Sequence, residues 1–148
     1  MENKAKVVLL ALVAVFLAAQ FFQPARGNPP SEPAASFEVV ANPSPEVRGI
    51  IEHACQDCHS NRTVWPWYSR VAPASWLVAD DVSEGRQHLN LSEWAKLSPE
   101  RRLKALGDVC REVNSGDMPL WQYRLLHRAA RLQPGDATML CLLSSRTN

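Results

Sequence analysis

The pentapeptide Cys55-Gln56-Asp57-Cys58-His59 constrains this chain more tightly than any other part of its sequence. In a turn of helix the two cysteines lie on one side, and the histidine follows directly after the second of them. Two thiols and an imidazole in this spacing are typical of covalent haem c attachment, in which the sulfurs bond the two porphyrin vinyl groups and the imidazole binds the iron. The motif therefore predicts one covalently bound haem c, attached at Cys55 and Cys58, with His59 as the proximal iron ligand.

Two other chemistries use paired cysteines. A thiol–disulfide pair of the thioredoxin kind belongs in a βαβ context, and no such context is visible around this motif. A structural zinc site needs further ligands at finger-like spacing, and Cys110 and Cys141 are too dispersed to supply them. A haem-free thiol oxidoreductase therefore stays as an alternative to haem attachment.

Helical patterns dominate the sequence after residue 44. Ser44-Pro45 and Ser98-Pro99 each place a capping hydroxyl before a proline at the first helical position, which is typical of a helix start. Further helices are predicted over 74–84, ending at Gly85, and over 121–130, with a last one from residue 136. No stretch shows strand alternation. We expect an all-α, small cytochrome c-like helical domain with long loops wrapped around one covalently bound haem, preceded by an N-terminal hydrophobic helix.

The N-terminus carries lysines at positions 4 and 6, followed by an apolar run from Val7 to Phe22. Because the small-residue cleavage pattern is poor, the sequence favours an uncleaved transmembrane anchor at residues 1–22 over a cleaved signal peptide. The lysines on the short side predict that everything after the anchor lies outside the cytoplasm. Proline and polar residues over 23–44 predict an extended linker to the domain at 45–148.

A second axial ligand would complete a six-coordinate haem iron. Met118 is the leading candidate, because it lies in the turn Gly116-Asp117-Met118-Pro119 after a helix, where a thioether can be presented from a loop. His127, His88 and an open sixth position are the alternatives. Met139, inside an apolar helix, is predicted to be a packing residue.

With these motifs in place, the chain resembles the haem-binding domain family, small membrane-anchored bacterial proteins with a Cys-x-x-Cys-His motif. The resemblance covers nearly the whole chain, although Cys110 and Cys141 fall outside the pattern. It implies haem c binding and an anchor, and it implies no particular redox partner. Together with the lysines before the apolar run, this predicts a single-pass anchor in a bacterial inner membrane with the haem domain facing the periplasm. The matching segments are 55–63, Trp65-Pro66-Trp67-Tyr68-Ser69, Ala72-Pro73-Ala74-Ser75-Trp76, Gly85-Arg86, 89–94, Met118-Pro119-Leu120, and Tyr123 with His127.

The residues around the motif supply candidates for the haem pocket. Trp67 and Tyr68 are predicted to line it, because the segment after His59 has to fold back over the porphyrin. Arg86 is a candidate partner for a haem propionate. Cys110 and Cys141 fall on inward faces of predicted helices, where a disulfide and two buried thiols are both open.

The sequence therefore predicts a monohaem c-type cytochrome domain that transfers single electrons and has no enzymatic activity. A haem-based sensor or small-ligand-binding haem protein is the first alternative, and it requires an open or labile sixth position. A weak peroxidase-like activity would need a distal acid–base residue, for which His127 is the candidate. The net charge of +1 gives no indication of nucleic-acid binding.

Overall fold

The structure, a computed structural model, describes residues 2–145 and contains no strand in that range, which confirms the predicted all-α class. Four short 3-10 helices lie at Pro33–Ala35, Trp67–Arg70, Leu91–Lys96 and Arg128–Ala130. The α-helices are α1 (Glu2–Ala19), α2 (Phe37–Val40), α3 (Pro45–Ala54), α4 (Gln56–His59), α5 (Ala74–His88), α6 (Pro99–Ser115), α7 (Trp121–Leu126) and α8 (Asp136–Ser145).

The predicted helix starts are confirmed in detail. The Ser44 hydroxyl accepts a hydrogen bond from the Val47 amide at the start of α3, and the Ser98 hydroxyl accepts one from Arg101 at the start of α6. Each bond satisfies one of the amides that a helix N-terminus leaves unpaired. Gly116 ends α6 with a φ of 80°, a left-handed conformation that glycine adopts at little cost.

The core lies between α3, α6 and α8. Ile51 and Leu106 meet the fully buried Leu140 there, and the ring of Phe37 packs edge-on against Trp94 with centroids 4.9 Å apart. A disulfide between Cys110 and Cys141 joins α6 to α8, with Cα atoms 4.6 Å apart. The bridge that the sequence left open is therefore present.

Residues 23–44 differ from the extended linker that their composition predicts, because they pack against the domain. Phe37 is one of the most buried residues of the core. We call residues 20–30 the strap. Side chains of the domain bind carbonyls of the strap: Arg86 donates to the Gly27 carbonyl at 3.0 Å, and Trp76 donates to the Phe22 carbonyl at 2.6 Å.

The transmembrane helix predicted over residues 1–22 is not found. None of the helices in the described range has both the length and the apolar character that crossing a membrane requires. Helix α1 ends at Ala19, and Lys4 and Lys6 occupy its first turns, so its apolar part is shorter than the roughly 20 residues that a bilayer core demands.

Candidate functional site

The residues of the pentapeptide share one short turn between α3 and α5, which we call the attachment turn after the haem attachment that its sequence predicts. Helix α3 ends before Cys55, whose φ of −124° breaks the helix and starts α4. The His59 amide donates to the Cys55 carbonyl at 2.9 Å, which closes the turn and keeps both cysteines and the histidine together. Cys55 and Cys58 are free thiols in a chain whose other two cysteines form a disulfide.

Both thiols of this turn are strongly desolvated. Burial raises the pKa of Cys55 to about 12, and the neighbouring Cys58 adds to the effect. Burial likewise raises the pKa of Cys58 to about 12, with further contributions from the carboxylates of Asp81 and Asp57. Because the thiolate is the nucleophile in disulfide exchange, two protonated thiols fit a thiol oxidoreductase poorly.

The side chain of His59 is held in the tautomer that a metal ligand needs. Its Nδ1 lies 3.1 Å from the Leu89 carbonyl oxygen, so Nδ1–H donates there and the lone pair of Nε2 stays available. Burial lowers the pKa of His59, although the carbonyls of Leu89 and Gly85 partly oppose this. The lowered pKa favours the neutral imidazole, which is the form that binds iron.

Helix α5 crosses the attachment turn at Gly85. A Cβ atom at this position would lie 2.7 Å from the Cys58 carbonyl oxygen and 3.0 Å from its carbonyl carbon, closer than backbone atoms allow. The sequence predicted that Gly85 ends the helix, whereas the helix continues to His88. The physical reason for the glycine is close packing of α5 on α4.

A cavity of about 120 Å³ opens beside Cys58, between α5 and α7. It is smaller than the roughly 300 Å³ or more of typical ligand pockets, but its apolar wall continues onto the surface. Three of its lining side chains, Val64, Leu77 and Leu126, are at least half exposed. A flat apolar group attached at Cys58 would cover this surface, so free thiols, a neutral imidazole and an apolar wall together fit a haem.

The structure brings only some of the predicted pocket residues to this cavity. Tyr68 lines it. Trp67 is 78% exposed and lies outside the lining. Arg86 also lies outside it, and its guanidinium already donates to the Ser60 carbonyl at 2.8 Å besides its contacts to the strap. Met118 is not in the lining either, and its amide donates to Glu112 at the end of α6.

Contacts that the sequence did not predict tie α7 to the attachment turn. The Tyr123 hydroxyl donates to Asp57 Oδ2 at 2.7 Å, and the Tyr123 ring stacks on His127 with centroids 4.1 Å apart. Tyr68 lies 6.1 Å from His127, so the three rings form one cluster at the cavity. The spacing of Tyr123 and His127 by four positions was the one signal in the sequence, since it places both on one helix face.

Comparison with protein families gives one match, in which the model of a family described as a haem-binding domain covers residues 14–143. Neither the search of proteins of curated function nor the search of solved structures gives a match. The matched range includes the attachment turn, the cavity walls and the disulfide.

Proposed function

The chain belongs to the haem-binding domain family, and from this premise we propose that it is a monohaem c-type cytochrome domain that transfers single electrons. The observation that carries the proposal is the attachment turn, which holds Cys55, Cys58 and a tautomer-fixed His59 together and places Cys58 in the wall of an apolar cavity. When bound, haem supplies an iron that cycles between the ferrous and ferric states.

The chain's own residues would tether and orient the group. Cys55 and Cys58 hold it covalently, and the Leu89 carbonyl keeps the His59 ring from rotating. The apolar side chains of α5 and α7 that line the cavity would exclude water from a haem attached at Cys58, and a drier site would favour the less charged state of the iron. No nucleophile with a base and an orienting group is part of this arrangement, so we propose electron transfer without enzymatic activity.

Met118 is the proposed sixth ligand, since a thioether opposite histidine raises the potential and suits an electron carrier. His127 is the second candidate, because it stacks on Tyr123 and faces Tyr68, both of which line the cavity. The variants Met118→Ala and His127→Ala distinguish the two candidates, because only loss of the true ligand converts the low-spin haem spectrum to a high-spin one. An unchanged low-spin spectrum in Met118→Ala rules out Met118, and a high-spin wild type favours a sensor or ligand-binding haem protein.

We place the domain outside the cytoplasm, on the periplasmic side of a bacterial inner membrane. The Cys110–Cys141 disulfide supports this, because disulfides persist in oxidising compartments, where haem c is also attached. The exposed apolar side chains of α1 are the proposed export signal or membrane contact. Fractionation of cells that express the full chain tests the location, and recovery with cytoplasmic markers would contradict it.

The decisive experiment expresses the full chain with the cytochrome c maturation machinery and records a pyridine haemochrome spectrum. We expect one covalently attached haem per chain, which survives denaturation and acid–acetone extraction. The variants Cys55→Ala and Cys58→Ala should each lose one thioether and shift the haemochrome band, while Cys110→Ser should keep it. Wild-type protein without a haem signal would overturn the proposed function.

A further inference from the structure

One hydrogen bond connects the haem-attachment turn to the segment that carries both candidate sixth ligands. Tyr123 on α7 donates from its hydroxyl to Asp57 Oδ2 at 2.7 Å, across 66 positions of sequence. Asp57 is one of the two residues between the attaching cysteines. The bond therefore links the turn that contains the proposed iron ligand His59 to the segment 118–127, which contains both candidate sixth ligands.

The acceptor is itself fixed in place. The other carboxylate oxygen of Asp57 accepts from the Val64 amide at 2.9 Å, and its backbone carbonyl accepts from the Thr63 hydroxyl at 2.6 Å. Because one further bond holds its carboxylate and another holds its backbone carbonyl, Asp57 loses little additional freedom when it accepts the phenol. Asp57 can therefore act as a rigid reference point for whatever binds it.

The donor is rigidly connected to the ligand segment. Tyr123 stacks on His127 at one end of α7. At the other end the Arg124 amide donates to the Leu120 carbonyl, two residues after Met118, and the Met118 amide is bound to Glu112. The segment 118–127 is therefore anchored at two places, to α6 through the Met118 amide and to the attachment turn through Tyr123.

We propose that Tyr123 is a positioning residue, whose hydrogen bond to Asp57 fixes the segment 118–127 relative to the attachment turn and so sets how firmly the sixth ligand holds the iron. The inference rests on the proposed function, since it presupposes an attached haem. Tyr123 touches neither the proposed iron ligand His59 nor the attaching thiols through a hydrogen bond, and it acts through Asp57.

The test measures the affinity of the ferric, haem-loaded full chain for added imidazole, which competes with the internal sixth ligand. Tyr123→Phe keeps the ring stacked on His127 and removes only the hydroxyl. Loss of a hydrogen bond to a charged group weakens the hold of the internal sixth ligand on the iron. Imidazole should therefore bind Tyr123→Phe about tenfold more tightly, or more, than it binds the wild type. The control is Asp108→Asn, which alters a carboxylate bound to Lys104 and Arg111 on α6, outside the cavity lining, and it should stay within about twofold of wild type.

Variants of the acceptor Asp57 test the same hydrogen bond independently, in case Tyr123→Phe fails to fold. Asp57→Asn retains the link, because its amide group can donate to the phenol oxygen, and it should behave nearly as wild type. Asp57→Ala removes the link and should match Tyr123→Phe. Wild-type imidazole affinity in both Tyr123→Phe and Asp57→Ala, with haem attached, would overturn the proposal. Absence of attached haem in the wild type, read from the haemochrome, is a separate result that overturns the proposed function.

Discussion

Gly85 shows how much of this site depends on single residues. In a helix interior glycine is normally a weak point, and its replacement by alanine stabilises the helix. At Gly85 the neighbouring atoms are the backbone of Cys58, which cannot move aside without displacing the attachment turn. Glycine therefore weakens α6 at Gly107, where space is open, whereas α5 requires it at Gly85 to pack on the attachment turn.

Gly85→Ala is expected to destabilise the chain by about 1–3 kcal/mol, because the added methyl overlaps a backbone carbonyl. Gly107→Ala is the matched control, since a methyl added at this position on α6 would meet nothing within 4 Å. This control should stabilise the chain by up to about 1 kcal/mol. Urea unfolding of both variants checks the pair, and equal effects at the two positions would contradict the packing argument.

Asp81, in the wall beside Cys58, predicts a pH dependence. Burial raises the pKa of Asp81, and the carboxylates of Asp80 and Glu84 add to it, while a hydrogen bond from Gln122 opposes it. Because the pKa of Asp81 is higher in the folded protein than in the unfolded chain, an ionised Asp81 lowers the stability of the folded state. That cost is present at neutral pH and disappears as the pH falls through the folded pKa towards the unfolded value near 3.8.

Asp81→Asn should therefore raise the melting temperature at pH 7 and give no increase below about pH 4. Glu52→Gln, which removes one negative charge from an exposed position on α3 that does not act on Asp81, is the control for net charge. Thermal unfolding of both variants across this pH range measures the difference. A gain that persists at low pH would show that the charge of Asp81 is not its cause.

At the scale of elements, helix starts follow the sequence closely and helix ends do not. The Ser44 and Ser98 caps form bonds within three residues, so the local sequence contains both partners. The end of α5 depends on how it packs over α4, and residues far away in the chain decide that. The sequence likewise leaves the pairing of α6 with α8 open. The structure shows this pairing, because the Cα atoms of Cys110 and Cys141 lie 4.6 Å apart.

The Cys110–Cys141 disulfide is expected to contribute about 2–4 kcal/mol, because it restricts the unfolded chain over a separation of 31 residues. Reductant should lower the urea midpoint of the wild type by the corresponding amount. It should not release haem, since thioethers are not reduced by thiols. The Cys110→Ser, Cys141→Ser double variant should show the lowered midpoint with or without reductant. A midpoint of the wild type that reductant leaves unchanged would contradict this role.

At the scale of the whole molecule, the strap makes the N-terminal region part of the domain. Its carbonyls receive three donors from two parts of the chain: Arg86 and Trp76 on α5, and Asn61 after the attachment turn. Arg86 binds both the strap and the segment after His59, so it links the N-terminal region to the haem site. Helix α1 is joined to the rest mainly through the side chain of Gln20. Its Oε1 accepts a hydrogen bond from the Ala72 amide, and its Nε2 donates one to the Ala72 carbonyl.

Deletion of residues 1–30 is expected to cost about 1–3 kcal/mol, because the side chains that bound the strap lose their partners. Deletion of residues 1–19 alone should change the melting temperature little. Thermal unfolding of the two truncated proteins, loaded with haem after export from a common signal peptide, compares them. If both deletions have the same small effect, the strap is the free linker that its composition suggests.

The sequence by itself determined the features whose parts are neighbours along the chain: the attachment motif, the capped helix starts, the all-α class and the family. Only the tertiary structure decided the features that join distant segments, including the Tyr123–Asp57 bond, the disulfide and the strap. It also gave Arg86 and Trp67 surroundings other than the expected pocket. The reason is physical: local patterns fix backbone conformation within a few residues, whereas the position of one segment on another depends on the packing of the whole core.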